Sequence, residues 1–302
     1  MAGTRAARGL VKGLAVGAGA LGVVLPAAAG LLTEIFMRIP AGMRPRPDER
    51  LARGLGEWSA AEIRTEEGLA LRGWFARAAK PNGGAAILLH GVADSRRGTL
   101  LQARMLREAG YAVLLPDSRA HGVSEGPVAT FGVLEREDVR RWCDWLAAQP
   151  GVERIYGLGI SMGAAVILQS LAVEPRLRAV AAESPFYDFR AIGRRRLAQI
   201  TRFEAPLVHA PMVEFGRYYA KLRRGVDLAE ASPAAALRGE RRPVLLIHGT
   251  ADTNIPLSHS RDLARANPGV ELWEVPGARH VMCYRAAPEE YRRRVLELFS
   301  RQ

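Results

Sequence analysis

A serine can attack a carbonyl carbon only if a base takes its proton and the backbone holds the hydroxyl out toward the substrate. A sharp turn from a strand into a helix does the second. Crowding at that turn requires small residues two before and two after the serine, hence the spacing Gly-x-Ser-x-Gly. The chain carries the spacing twice, at Gly159-Ile160-Ser161-Met162-Gly163 and at Gly122-Val123-Ser124-Glu125-Gly126. With 31 glycines among 302 residues, the spacing alone discriminates little. Context does. Ile155 to Leu158 reads as an apolar strand before Ser161, and Ala164 to Leu171 as an alanine-rich helix after it, whereas Ser124 lies in a loop that runs into Pro127. Ser161 is the candidate nucleophile and Ser124 a turn residue.

The base must be a histidine held in one tautomer by a carboxylate that also stabilises the imidazolium. Of six histidines, His280 follows the last predicted strand in the loop before the final helix, where it can reach over the end of a sheet. His90 and His248 each precede a glycine at a strand end and read as loop supports; His121, His209 and His259 read as hydrogen-bonded or surface residues. Asp252, in the loop after the penultimate strand, is the candidate carboxylate. Asp94, Asp138, Asp188 and Asp227 fit turn or helix-cap duties, and Asp117, which also ends a strand, is the remaining alternative. The backbone N–H groups of Met162, opening its helix, and of Val92, after His90-Gly91, are candidates for an oxyanion hole.

These residues need a scaffold that brings strand ends together. The hydrophobic pattern predicts strands over 58–65, 69–77, 85–89, 111–116, 153–159, 178–183, 243–248 and 270–275. Helices are predicted over 96–109, 132–148, 162–173, 257–267 and 287–300. The alternation implies an α/β architecture with a mostly parallel eight-stranded sheet covered by helices on both faces. In such sheets ligands bind at the carboxyl ends of the strands, which is where every candidate above falls. The stretch from about 185 to 240 is too long for a simple connection and reads as a helical cap insertion.

At the amino terminus, Gly13 to Thr33 is 21 residues without a charge, long enough as a helix to cross a bilayer core of about 30 Å. A cleaved signal peptide ending near Ala27-Ala28-Ala29 competes with an uncleaved anchor, but the apolar run continues through Leu31, Leu32, Ile35 and Phe36, which favours the anchor. The expected layout is an anchor over 1–38, a proline-rich linker over 39–57 and a catalytic domain over 58–302, single-pass at the membrane and in contact with its lipid. Basic residues flank the run on both sides, so sidedness is open. The net charge of +12 is carried almost wholly by arginine, and no nucleic-acid motif or stacking platform accompanies it, so nucleic acid is not an expected partner. Nine basic residues between Arg190 and Arg224 face only Glu204 and Glu214, giving either a basic amphipathic surface for anionic lipid or an ordinary solvated helix face. Cys143 and Cys283 are too few for a disulfide framework.

The order Ser161, Asp252, His280, with His90-Gly91 upstream, resembles the α/β-hydrolase fold superfamily over about residues 58 to 301. Leu89-His90-Gly91-Val92, the stretch from Asp117 to Ser124, and His248-Gly249-Thr250-Ala251-Asp252-Thr253-Asn254-Ile255-Pro256 look like a branch related to the prolyl oligopeptidase and dienelactone hydrolase groups. Ala120 stands where that branch usually has glycine. The resemblance implies an acyl-serine mechanism with neither metal nor cofactor, and the apolar residues of the cap suggest a small-molecule acyl ester or thioester as substrate. A peptidase or acyltransferase using the same triad is the alternative within enzymes, and a catalytically silent membrane-associated binding module the alternative outside them.

Overall fold

In the computed structural model, which describes residues 24–39 and 44–301, β1 (Ser59–Arg64) and β2 (Ala70–Ala76) form an antiparallel pair with Ser59 opposite Phe75 and Arg64 opposite Ala70. Gly68 closes their turn at φ +82°, and its N–H donates to Thr65. β2 also runs antiparallel to β4 (Ala112–Pro116). The remaining neighbours are parallel: β3 (Gly84–Leu89), β5 (Arg154–Ile160), β6 (Leu177–Glu183), β7 (Val244–Gly249) and β8 (Glu271–Val275). The sheet order is β1-β2-β4-β3-β5-β6-β7-β8. Each predicted strand boundary falls within one residue of its observed counterpart, and the α/β fold with a mostly parallel eight-stranded sheet is the one observed.

β3, β4 and β7 have no exposed residue, because helices cover both faces and apolar side chains are needed on each. On one face Ile87, Leu89 and Leu114 pack with Trp142 and Leu146 of α4 (Glu135–Ala147) and Ile167 of α5 (Met162–Ser170). On the other, Leu88, Leu115 and Leu158 pack with Leu106 of α3 (Leu100–Glu108) and with Val295 and Phe299 of α11 (Pro288–Ser300). Each such side chain contributes about 1.5–3 kcal/mol by leaving water. α4 begins three residues later than its apolar periodicity suggests. The Glu135 carboxylate folds back to accept from the N–H groups of Thr130 and Gly132 and from the Thr130 hydroxyl, which fixes a turn there instead.

Two other segments set the site. Between β6 and β7 the chain is helical, with α6 (Phe189–Thr201), α7 (Pro206–Arg224) and the short α8 (Pro233–Leu237). A first helix, α1, extends over 24–37 of the described residues, and a short α2 (Glu49–Ala52) follows it. α9 (Ser258–Ala266) and α10 (Cys283–Ala286) complete the set. The predicted membrane span lies outside the described residues as far as residue 23. From residue 24 onward it packs on α7: Gly30 lies against the Tyr219 ring, Thr33 against Gly216, and Glu34 pairs with Arg224 and accepts from the Tyr219 hydroxyl. Among the described residues no helix is long and apolar enough to cross a membrane. In the predicted linker, Ala52 and Leu55 are fully buried against the sheet, so its end belongs to the packed structure.

Candidate active site

The sheet order reverses at β3, whose neighbours are β4 on one side and β5 on the other, and loops leaving β3 and β5 at their carboxyl ends border one crevice. Ser161 sits there, between β5 and α5, at φ +53° and ψ −116°. A serine held at positive φ is strained, and the turn persists because its surroundings leave no alternative. A Cβ added at Gly159 would lie closer than 3.0 Å to the carbonyl of Gly163, and one at Gly163 closer than 3.0 Å to the carbonyls of Leu89 and His90. Both glycines of the motif are thus required by backbone contact. The Ser161 N–H donates to the Glu183 carbonyl at 2.8 Å, tying the turn to the end of β6.

The structure brings three of the predicted side chains together. His280 Nε2 lies 2.9 Å from Ser161 Oγ, and His280 Nδ1 lies 2.7 Å from Asp252 Oδ2. The other Asp252 oxygen accepts from the N–H groups of Asn254 and Ile255. Burial raises the Asp252 pKa, but hydrogen bonds from His248 and His280, the nearby imidazole charge of His280 and the Ile255 N–H outweigh it, and the carboxyl is held well below the usual range. Val281, immediately after His280, is a β-branched residue at φ +51°, a second strained backbone position in the same constellation. A hydroxyl bonded to an imidazole that is itself bonded to a buried carboxylate can lose its proton to that imidazole as it attacks an electrophile.

Val92 and Met162 both border the crevice with Ser161. The Val92 N–H has no hydrogen-bond partner among the described residues, and Met162 is the first residue of α5, where an N–H has no acceptor within the helix. Two free donors bordering the same crevice as a serine hydroxyl suit a developing oxyanion.

The other candidates serve elsewhere. Ser124 is buried, accepts from the Arg72 N–H at 2.8 Å and donates to the Asp117 carbonyl at 2.7 Å, so its hydroxyl is a structural peg far along the chain from His280. Asp117 pairs with the buried Arg96 at 2.7 Å and accepts from the N–H groups of Arg96 and Val123, which holds the β4 loop and does not touch His280. Asp138 forms a two-bonded pair with Arg119. Asp188 and Asp227 cap α6 and the turn at Leu228–Glu230. His90 Nε2 accepts from the Ser118 N–H, so its proton is on Nδ1 and donates to the Gly91 carbonyl; burial lowers its pKa and keeps it neutral. His248 Nε2 faces the Ile255 carbonyl at 2.9 Å and therefore carries the proton, with Asp252 Oδ2 3.4 Å away. Both support loops, as expected of a histidine before a glycine at a strand end. His259 accepts from the Tyr187 N–H, and His209 from the Ala205 N–H.

Two contributions escape the sequence. Glu183, fully buried at the end of β6, accepts from the Cys283 N–H at 2.9 Å and the Tyr291 hydroxyl at 3.2 Å, so it joins the turn at Ser161 to the segment after His280. Burial pushes its carboxyl up. The signal was a charged residue closing the apolar run Ala179 to Ala182. The second is the wall of the crevice. About 880 Å³ of space, counting its open mouth, lies above Ser161 and is lined by Phe131, Phe186 and Ile255 of the sheet loops, by Ile192 and Leu197 of α6, by Met212 and Val213 of α7, and by Leu32, Phe36 and Met37 of α1. Arg196 is the one charged residue among the lining side chains. The lining suits an apolar group. Among the described residues no cluster of three or more His, Cys, Asp or Glu side chains is disposed to hold a metal ion.

A family model described as the alpha/beta hydrolase family matches residues 86–294. The protein YqkD of Bacillus subtilis is 28% identical over 218 residues, 71% of this chain and 70% of that one. The polyketide transferase ATR5 of Stachybotrys chlorohalonatus is 32% identical over 133 residues, 42% of this chain and 44% of its own. Among solved structures, the esterase Pf2001 of Pyrococcus furiosus superposes with a TM-score of 0.69 at 27% identity, covering 85% of this chain and 98% of that one. The family model covers the sheet from β3 onward together with Ser161, Asp252 and His280, and the chain belongs to the α/β hydrolase family as a hydrolase.

Proposed function

We propose that the protein cleaves carboxylic esters through an acyl-serine intermediate and is tethered to a membrane through its amino-terminal segment, the uncharged run from Gly13, of which residues 24–33 pack on α7. The observation that carries the reading is the unbroken chain of hydrogen bonds from Ser161 through His280 to Asp252. Similarity to the Pyrococcus furiosus esterase supports it. As Ser161 Oγ attacks the ester carbonyl carbon, His280 Nε2 takes the hydroxyl proton, and Asp252 stabilises the imidazolium without itself taking a proton. The carbonyl oxygen becomes an oxyanion held by the Val92 and Met162 N–H groups, each worth about 100-fold to 1,000-fold in rate. Collapse of this intermediate breaks the bond to the alcohol oxygen, which leaves with the proton returned by His280. Water then attacks the acyl carbon and gives a proton to the same nitrogen. A second collapse releases the acid and restores the serine.

The layout that goes with this reading is an anchor within 1–38 whose end, α1, packs on the cap, a linker over 39–57 whose end is packed against the sheet, and a catalytic domain over 58–302 with a cap at about 185–240. Apolar residues of the cap and of α1 along the crevice support an acyl ester of modest to long chain as substrate. The likeness to a polyketide transferase supports a second reading, in which an alcohol or amine replaces water in the deacylation step. The test is turnover of short and long p-nitrophenyl esters by the full chain, with and without an added alcohol. Ser161→Ala is expected to lose at least about 1,000-fold in kcat, while Ser124→Ala retains turnover once refolded. Unchanged turnover in Ser161→Ala removes the reading, and transfer to the alcohol at the expense of hydrolysis selects the second.

A further inference from the structure

α7 has two apolar faces where a helix of a globular protein ordinarily has one. His209, Val213, Gly216 and Ala220 are buried against the body of the protein. Leu207, Pro211, Phe215, Tyr218 and Leu222 are all exposed, Leu207 and Leu222 at 93% and 89%. Their steps of four, four, three and four residues, at about 100° per residue, confine them to an arc of about 80° along the whole 19-residue helix. On the neighbouring α1, Val24, Leu31 and Ile35 form a second exposed stripe, and Ile200 and Phe203 extend the apolar surface at the end of α6. An exposed apolar surface of that extent on a single chain marks an interaction site.

The charge around it selects the occupant. Among the described residues the exposed Arg194, Arg202 and Arg223 make no ion pair, whereas Arg190, Arg217, Lys221 and Arg224 are matched by Glu214, Asp227 and Glu34. A second copy of the chain would bring this positive field against itself. An anionic lipid surface is complementary to it and also accepts the apolar stripe. α1 contains residues 24–33 of the uncharged run Gly13 to Thr33 and packs on α7. We propose that the outer face of α7, with the unpaired arginines beside it, docks on the surface of an anionic bilayer. α6 and α7 line the crevice above Ser161 with their inner faces, so docking sets the catalytic crevice against the membrane. The α7 part of the docking face, Leu207 to Leu222, shares no residue with the run at 13–33, so probes at 207 and 222 report on it separately.

The test uses the full chain reconstituted in phosphatidylcholine vesicles, with or without phosphatidylglycerol. Cys143 and Cys283 are buried and burial pushes both thiols up, so an introduced exposed cysteine is labelled selectively. An environment-sensitive nitrobenzoxadiazole probe is placed at Leu207→Cys or Leu222→Cys, with Lys80→Cys as control; Lys80 is exposed in the loop entering β3, at the opposite end of that strand from the crevice. Phosphatidylglycerol is expected to blue-shift the probes at 207 and 222 and to raise their emission at least about twofold, with the effect reduced by salt and absent at 80. No difference between positions 207, 222 and 80 overturns the proposal. So does a response at 207 and 222 that follows protein concentration without vesicles, which would assign the face to a second copy.

Discussion

At the scale of single residues the chemistry rests on how each group's second hydrogen bond is spent. His280 uses Nδ1 on Asp252, which leaves Nε2 for Ser161. Asp252→Asn offers that nitrogen an amide and favours the other tautomer, so kcat is expected to fall by about 10,000-fold while KM and folding stay near their original values; ester turnover with a circular-dichroism melt checks it, and a loss below tenfold would mean that another group orients the imidazole. Ser124, with the same flanking spacing as Ser161, was separable in the sequence because it lacks a strand before it and a helix after it. Its hydroxyl is spent on Arg72 and Asp117. Ala120 was legible as a departure from a glycine, and the backbone gives the reason to care: it sits at φ +60°. The left-handed region costs a non-glycine residue about 1–2 kcal/mol, and glycine's extra freedom when unfolded returns about half of that. Ala120→Gly is therefore expected to raise unfolding free energy by up to about 1 kcal/mol in urea titration, with turnover unchanged.

At the scale of elements, every strand and the long helices of the sheet layers were legible, because period-two and period-3.6 patterns of apolar residues follow directly from burial on one or both faces. The role of α1 was not. Leu32, Phe36 and Met37 satisfy a bilayer and an apolar crevice equally well, and composition cannot say which of the two a given side chain faces. Nor could it show that Gly30 and Gly216 allow α1 and α7 to approach closely. If α1 forms part of the acyl site, Leu32→Ala and Phe36→Ala should lower kcat/KM for an octanoyl ester by about tenfold and leave an acetyl ester nearly unchanged, since the lost contacts lie beyond the reach of the short chain. Equal losses for both esters would instead place the effect on the fold. Glu183 was visible only as an odd charge at a strand end; its partners Cys283 and Tyr291 lie about a hundred residues on, a pairing that no local pattern encodes.

At the scale of the whole molecule, buried imidazoles set the response to acid. Burial lowers the pKa of His121 and His259 from 6.5 to about 4. The unfolded chain therefore binds protons below pH 6.5 that the folded chain refuses, so stability from these groups is complete above pH 6.5 and is lost as the pH falls toward 4. Each ring contributes a decline on the order of 1–3 kcal/mol between pH 7 and pH 4, opposed over part of that interval by Asp138, whose carboxyl burial pushes up to about 6; the rings are therefore followed by their own NMR resonances, which are expected to stay neutral in the folded protein at about pH 5, and protonation there would show that the two rings are not held neutral. Asp252 works in the same direction only at lower pH, because its folded pKa lies below that of the unfolded chain.

The central claim is that one serine, placed by one turn, forms the covalent intermediate. Its most direct test is to react the full chain with a fluorophosphonate and to map the adduct by peptide mass spectrometry. A single adduct on Ser161, absent when His280 is replaced by alanine or the protein is unfolded beforehand, is the predicted result. An adduct on Ser124 or another residue, or a folded protein that takes up no label, would contradict the account.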